Sequence, residues 1–561
     1  MGATPNLVVV GRRIFTSDPD NPWVEAFAVS NGKIVAAGSR ADALAAAGPD
    51  APVLDCEERL VLPGLVDVHA HLGLGGRQLA FELPILPSDS KPEILAKVRA
   101  WSAGLGEGEW VVGGIIGSTV MEHITREDLH DLDGAAGGRP VLLRDDTMHN
   151  RWVNTAALAL MGVTADSPDP DGGAYVRDEA GHLTGVLYEM ASGLAEAAAN
   201  SSIKDPQKHN DQAFQKALET LNSFGITGVQ EAATMGYALE TLSRLDGRGL
   251  LSAHVVASMP SRPFIEPGTT GDELYDFAAG MGSDHLHPTF SKYVLDGVPM
   301  TRTAAMIHPY TCSHPGHDEG FTGETLWQVD ELVESLERLV DRGLHAKLHA
   351  TGDAAIRLAL DAVQRLRESR GPEAIIQIAH ALYIDPSDVQ RFAELGVVPD
   401  CSPYLWFPSV MTESNAHQVD AGVHGSSAPF RDLFEDGALV SAGSDWPCAA
   451  PTPDPWTGLA TLVTRRNPDP AVEGALNAAQ ALTMEQAVEA FTRNPAEAMG
   501  LKDVTGMLKA GLAADFIVVD RDIFTVDPST VHETKVLRTY FEGRCVYDNG
   551  MALNPQVPAA L

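Results

Sequence analysis

The chain has 561 residues, 44% of them hydrophobic, and a formal net charge of −36. This length allows a barrel with a second domain, while the strong negative charge disfavours nucleic acid and anionic membranes as partners. The five cysteines are scattered and form no Cys-x-x-Cys pair, which argues against a disulfide framework and fits a reducing compartment.

The first ten residues lack a basic segment followed by a long apolar run, so no secretory signal is expected. No stretch of the chain reaches the roughly 18 apolar residues that a membrane span needs. We therefore expect a cytoplasmic protein.

Short strands are predicted near both ends of the chain. In the first part they cover 6–10, 26–30, 33–37, 53–55 and 60–62, and Asn31-Gly32 between two of them is typical of a tight hairpin. In the last part they cover 515–520 and 536–547. The pattern predicts a small β-sandwich domain that is built jointly from residues 1–62 and 505–561.

The middle of the chain, residues 63–504, alternates apolar strands with helical segments. Strands are predicted at 65–69, 227–231, 253–258, 291–296, 346–349, 375–380, 397–401 and 440–444, and the clearest helices at 331–342 and 354–369. Such alternation predicts a parallel sheet, and eight units close as a TIM-like (β/α)₈ barrel. This count requires an insertion at about 73–225, after the first barrel strand, with strands of its own at 110–116 and 141–144.

Metal-binding residue types fall where these strands end. The strand at 65–69 leads into His69 and His71, whose side chains share one face because they are two residues apart. His349, His380 and Asp445 end the fifth, sixth and eighth strands, and Lys292 lies on the fourth. Strand ends of a parallel barrel meet at one mouth. Four imidazoles and a carboxylate there can hold one or two zinc-like ions.

Lys292 decides how many ions the site holds. An ammonium group repels a cation, whereas a lysine carboxylated on its amine offers two oxygens that can bridge two metals. A salt bridge from Lys292 to Asp296 is the structural alternative, and Lys347 is a rival that lies one layer deeper. Asp445 is expected to have two tasks, as a metal ligand and as the group that moves a proton from water to the leaving amine.

At these residues the chain resembles the amidohydrolase superfamily, and more narrowly its YtcJ-like branch. The resemblance extends over nearly the whole length. The matching motifs are PGLVDVHAH at 63–71, KYVLDG at 292–297, TRTA at 301–304, HATGD at 349–353 and GSDWP at 443–447.

This resemblance implies which residues bind each metal. His69, His71 and Asp445 would hold the first ion, and His349 and His380 the second, with carboxylated Lys292 between them. The segment 145–154 is similar to a motif of the branch that lies near the substrate. It makes His149 and Trp152 candidate substrate contacts, and Arg302 is a third.

The expected function is hydrolysis of an amide-type carbon–nitrogen bond in a small molecule, with two divalent ions, most simply Zn²⁺. One alternative is a single-metal deaminase, a class that lacks the bridging lysine. Another is a catalytically silent regulatory or binding protein on the same scaffold. A homodimer is a further expectation.

Overall fold

The structure is a computed structural model that describes residues 6–551 and 553, apart from 107, 147, 149, 171, 264–267 and 312–319. These residues form three sheets with helices around them. In this part of the chain no helix is both long and apolar enough to cross a membrane.

Eight parallel strands form the central sheet and pair in chain order. We number them barrel strands 1 to 8: Leu65–Ala70, Ile226–Glu231, His254–Pro260, Leu286–Val294, His345–Ala350, Ile376–His380, Val397–Cys401 and Ser441–Ala442. A parallel bridge between Ala70 and Trp446 brings the last edge back to the first. The prediction of a (β/α)₈ barrel is therefore confirmed.

Helices cover the outside of the barrel because one face of each is apolar. In helix Val329–Asp341, the residues Leu332, Leu336 and Leu339 recur at helical spacing and are buried in the same apolar cluster as the barrel strands. Helix Asp353–Arg370 packs beside it in the same way. Both agree with the helices predicted at 331–342 and 354–369.

Strands from both chain ends pair in a second, eight-stranded sheet. Its strands are Leu7–Phe15, Trp23–Ser30, Lys33–Gly38, Val53–Asp55, Leu60–Pro63, Phe516–Val519, Val536–Phe541 and Arg544–Asp548. The two ends meet where Leu60–Pro63 runs antiparallel to Phe516–Val519. Phe516 stacks on Tyr540 and meets Phe27 edge-on in the apolar cluster on one side of this sheet.

A third sheet lies within the predicted insertion. In spatial order its six strands are Gly173–Arg177, Leu183–Glu189, Arg151–Val153, Val141–Asp145, Val111–Ile116 and Leu83–Pro84. Helix Pro206–Ser223 follows it and contributes Phe214, Leu218 and Leu221 to the cluster shared with the barrel strands. The inserted sheet thus occupies the centre of the segment that we predicted at 73–225.

The other helices connect these strands or cover the sheets. They are Arg40–Ala47, Leu72–Phe81, Lys91–Ser102, Ser118–Met121, Arg126–Ala136, Thr155–Leu160, Met190–Ser201, Gly236–Gly247, Gly271–Ala278, Val389–Leu395, Val410–Ala416, Ala421–Gly425, Phe430–Glu435, Pro455–Thr464, Met484–Ala490 and Arg493–Ala498.

Candidate metal centre

The six side chains predicted to bind metal meet at the carboxyl-terminal mouth of the barrel. They line one cavity of about 440 Å³ and are His69, His71, Lys292, His349, His380 and Asp445. They come from barrel strands 1, 4, 5 and 6 and from the segments just after strands 1 and 8, so only the closed barrel brings them together.

The first group joins strand 1 to the segment after strand 8. The Nε2 atoms of His69 and His71 lie 3.4 and 3.3 Å from Oδ1 of Asp445. One ligand atom from each residue falls within 4.8 Å of the other two. Because Zn–N and Zn–O bonds are about 2 Å long, one ion can contact all three.

Backbone contacts at the closing seam hold this group. The Asp445 N–H donates to the His69 carbonyl oxygen, and the His71 N–H donates to that of Trp446, both at 2.7 Å. Asp445 itself has a φ of +53°, an uncommon conformation for a residue other than glycine. The ligands and the barrel closure thus share one segment.

Gly443 and Asp67 explain why the two strand ends approach so closely. A Cβ atom at Gly443 would lie 2.5 Å from the backbone N of His69, so only glycine fits there. The buried Asp67 carboxylate accepts hydrogen bonds from the N–H of Ser444 at 2.9 Å and from its hydroxyl at 2.6 Å. Burial raises the pKa of Asp67 to about 7.

The second group consists of His349 and His380. Nδ1 of His349 lies 3.1 Å from Nε2 of His380, and Nδ1 of His380 lies 3.2 Å from the Ser402 hydroxyl. The His380 ring is also 4.9 Å from that of His69, measured between ring centroids, so the two groups adjoin.

Lys292 reaches the first group. Its Nζ lies 3.3 Å from Nε2 of His69. Burial, followed by the nearby charge of Lys347, lowers the pKa of Lys292 to about 8, which favours the neutral amine from which a carbamate forms. Asp296, the partner in the alternative interpretation, instead accepts hydrogen bonds from the N–H groups of Ala305, Thr351 and Gly352.

The Lys347 side chain, the other candidate for the bridging lysine, contacts a different group from Lys292. Its Nζ donates to Oδ2 of Asp400 at 2.5 Å, and the same oxygen accepts a hydrogen bond from Nδ1 of His69 at 2.7 Å. Sequence reasoning did not identify Asp400. One signal in the sequence could have identified it: Asp400 is an acidic residue inside an apolar strand, and acidic residues are seldom fully buried unless they have a partner.

The donor set fits divalent metal ions of the zinc type. Burial, followed by the charge of Lys292, holds the pKa of His69 well below its usual value, and burial, followed by His349, does the same for His380. Both shifts favour the neutral imidazole that metal binding requires. With the Asp445 carboxylate these imidazoles provide nitrogen and oxygen ligands that suit Zn²⁺.

Two of the three predicted substrate contacts lie away from the cavity wall. Trp152 is fully buried in the apolar cluster of the inserted sheet and does not line the cavity, whereas its neighbour Arg151 does. Arg302 is also absent from the cavity wall, and its Nε donates to Oε1 of Gln418 at 2.8 Å. His149 lies outside the described residues.

Two kinds of wall surround the centre. One is apolar and comes from the segments after barrel strands 4, 6 and 7; it includes Val298, Pro299, Met300, Leu326, Trp327, Leu382, Leu405 and Met411. The other comes partly from the inserted sheet and carries ion-paired charges: Nε of both Arg144 and Arg151 lies 2.6 Å from Oε1 of Glu196, and Nη1 of Arg144 also pairs with Glu82. The cavity therefore offers apolar packing on one side and compensated charge on the other.

Comparison with known proteins agrees with this arrangement. A sequence model of the amidohydrolase family matches residues 52–547. N-substituted formamide deformylase of Arthrobacter pascens is 27% identical, over 97% of this chain and 98% of its own length. YtcJ of Bacillus subtilis, which is named as an amidohydrolase, is 25% identical over 96% of this chain and 98% of its own length. An uncharacterized metal-dependent hydrolase from Pyrococcus horikoshii has the same fold, with a TM-score of 0.74 at 24% identity over 93% of this chain and 99% of that one.

Proposed function

The chain belongs to the amidohydrolase family, and from this membership we propose that it is a metal-dependent enzyme that hydrolyses an amide-type carbon–nitrogen bond in a small molecule. The observation that carries the proposal is the convergence of four histidines, Asp445 and Lys292 on one cavity at the mouth of the barrel. A catalytically silent member would be expected to lack some of these ligands.

We assign the ligands to two ions. His69, His71 and Asp445 would hold the first, and His349 and His380 the second, with carboxylated Lys292 contributing an oxygen to each. A divalent metal in such a site supplies a water of lowered pKa and polarises a carbonyl group. The position of Lys292 Nζ, 3.3 Å from His69 Nε2, favours this arrangement over a single-metal deaminase.

Asp445 is the residue that moves the proton. Its carboxylate lies among the imidazoles at the floor of the cavity, where it can accept a proton from the attacking water. The water oxygen forms a bond to the carbonyl carbon, the carbon–nitrogen bond breaks, and Asp445 returns the proton to the departing nitrogen. The products are a carboxylic acid and an amine.

The substrate class follows from the cavity walls and from the relatives. The relative from Arthrobacter pascens is named for deformylation of N-substituted formamides. An N-substituted amide also suits this cavity, because its substituent can pack against the apolar wall around Trp327.

A substrate panel tests the proposal. Zinc-loaded protein is incubated with N-formyl and N-acyl amines of increasing substituent size, amine release is followed, and metal per chain is measured in the same samples. We expect amine release and about two ions per chain. One tightly bound ion, an unmodified Lys292 and release of ammonia from a ring substrate would instead favour the deaminase. Metal-replete protein that releases no amine from any member of the panel would contradict the proposal.

A further inference from the structure

A buried chain of hydrogen bonds runs beneath the metal centre. Lys347 Nζ lies 2.5 Å from Asp400 Oδ2, which in turn lies 2.7 Å from Nδ1 of His69. The side chains of Lys347 and Asp400 are completely inaccessible, and that of His69 is 1% exposed. These three residues come from barrel strands 5, 7 and 1, so the chain of bonds crosses the barrel interior.

The chemistry of these groups determines which nitrogen of His69 carries the proton. An ionised carboxylate only accepts hydrogen bonds, so Nδ1 of His69 must be the donor. In a neutral imidazole the other nitrogen then has a free lone pair. That nitrogen, Nε2, is the atom that faces Asp445 Oδ1 at 3.4 Å and Lys292 Nζ at 3.3 Å.

Lys347 balances the negative charge of the buried Asp400 carboxylate. A carboxylate removed from water requires a paired cation, and the Lys347 ammonium supplies it. The imidazole can therefore donate its N–H group without carrying a positive charge itself, which would prevent metal binding.

We propose that the Lys347–Asp400 pair is a positioning device that holds His69 with its proton on Nδ1 and its Nε2 lone pair directed at the metal. The inference rests on the proposed metal-dependent function, and it gives the second buried lysine a role different from that of Lys292. Carboxylates that orient metal-binding histidines typically change metal affinity by about 10–100-fold when they are removed.

Metal affinity of the full-length chain tests the pair. Zn²⁺ dissociation constants are measured by chelator competition for the wild type, Asp400→Asn and the double variant Asp400→Asn/Lys347→Met, in which Lys347 is not left buried without its partner. We expect about 10–100-fold weaker binding in both variants. The double variant keeps the test valid if Asp400→Asn alone does not fold.

Asp515→Asn is the matched control, because Asp515 pairs with His254 at 3.0 Å, is equally buried, and lies outside the cavity. This variant should lose stability but keep the wild-type affinity for zinc. If the Asp400 variants also keep that affinity and lose only stability, the pair is merely structural and the proposal is wrong.

A second measurement is made on the wild-type protein itself. In ¹⁵N-histidine NMR of metal-free wild-type protein, with the His69 signal assigned by its loss in His69→Gln, we expect the proton on Nδ1. A proton on Nε2 would overturn the proposal. A wild-type chain that binds no zinc would instead count against the proposed function, while its His69 spectrum would still report on the pair.

Discussion

Replacing Gly443 with alanine should damage the metal centre without touching a ligand. The added Cβ would lie 2.5 Å from the backbone N of His69, 2.6 Å from the His69 Cβ and 3.0 Å from Asp67 Oδ1. An ordinary contact of this kind is at least 3.4 Å. Strand 1 and the segment after strand 8 must therefore separate by about 0.9 Å at this point, the difference between the two distances.

This separation acts on both stability and chemistry. Overpacking of a buried site costs about 1–3 kcal/mol. The same displacement moves His69 relative to Asp445, whose ligand atoms are only 3.4 Å apart. Since a misplacement of about 1 Å can reduce a rate by about 10²-fold, we expect a loss of that size in kcat/KM together with a lower zinc content.

The assay compares Gly443→Ala with Gly134→Ala by thermal unfolding, metal analysis and amine release. Gly134 is an exposed position in helix Arg126–Ala136, where an added Cβ meets nothing within 4 Å. That control should gain about 0.5–1 kcal/mol because alanine is the better helix residue, with unchanged activity. A Gly443→Ala protein with full zinc content and near-normal kcat/KM would refute the reasoning.

Four further predictions concern other residues. Asp445→Asn should lower the rate of amine release by at least ~10²-fold while the melting curve stays nearly unchanged; retention of most activity would remove its role in proton transfer. Metal-stripped wild type should regain more activity with zinc and bicarbonate than with zinc alone, whereas Lys292→Met should not respond to bicarbonate. If bicarbonate does not change the activity of the wild type, the proposed carboxylated Lys292 between two ions is wrong. Trp152→Ala should cost about 3–5 kcal/mol without raising KM, and a higher KM at unchanged stability would restore its predicted contact with substrate. His285 donates a hydrogen bond from Nε2 to the Glu542 carboxylate, which outweighs burial and raises the pKa of His285 to about 9, so this stabilisation is complete below about pH 6.5 and is lost as pH rises through about 9. The difference in urea midpoint between wild type and Glu542→Gln should therefore shrink over that interval, and a constant difference would contradict it.

The barrel and its ligand positions were predictable because two local rules act together. Apolar runs set the strands, and alternation along a strand sets which side chains share a face. The shared face of His69 and His71 is predicted by this rule alone. Their proximity to Asp445 is predicted once the strands are taken to be parallel and closed into a barrel. Strand 8 is shorter than predicted, Ser441–Ala442 against 440–444, and Asp445 beyond its end has a φ of +53°.

The structure departs from the sequence-based prediction at two residues. At the first, the alternation of side chains along a strand was not applied. At the second, the contacts join residues that are distant in sequence. Trp152 was grouped with its motif, yet it follows Arg151 on a strand, so the two side chains take opposite faces and only Arg151 reaches the cavity. Asp400 was missed because its partners His69 and Lys347 are on other strands. No local pattern states which buried groups will meet across the barrel interior.

The pairing of Leu60–Pro63 with Phe516–Val519 also has a consequence during synthesis. A ribosome produces the earlier strand long before its neighbour exists, so the nascent chain carries an unpaired edge while nearly all of the barrel is being translated. Such edges are sites of aggregation. Expression yield should therefore depend on chaperones that shield the amino-terminal region until translation of the last sheet strands is finished.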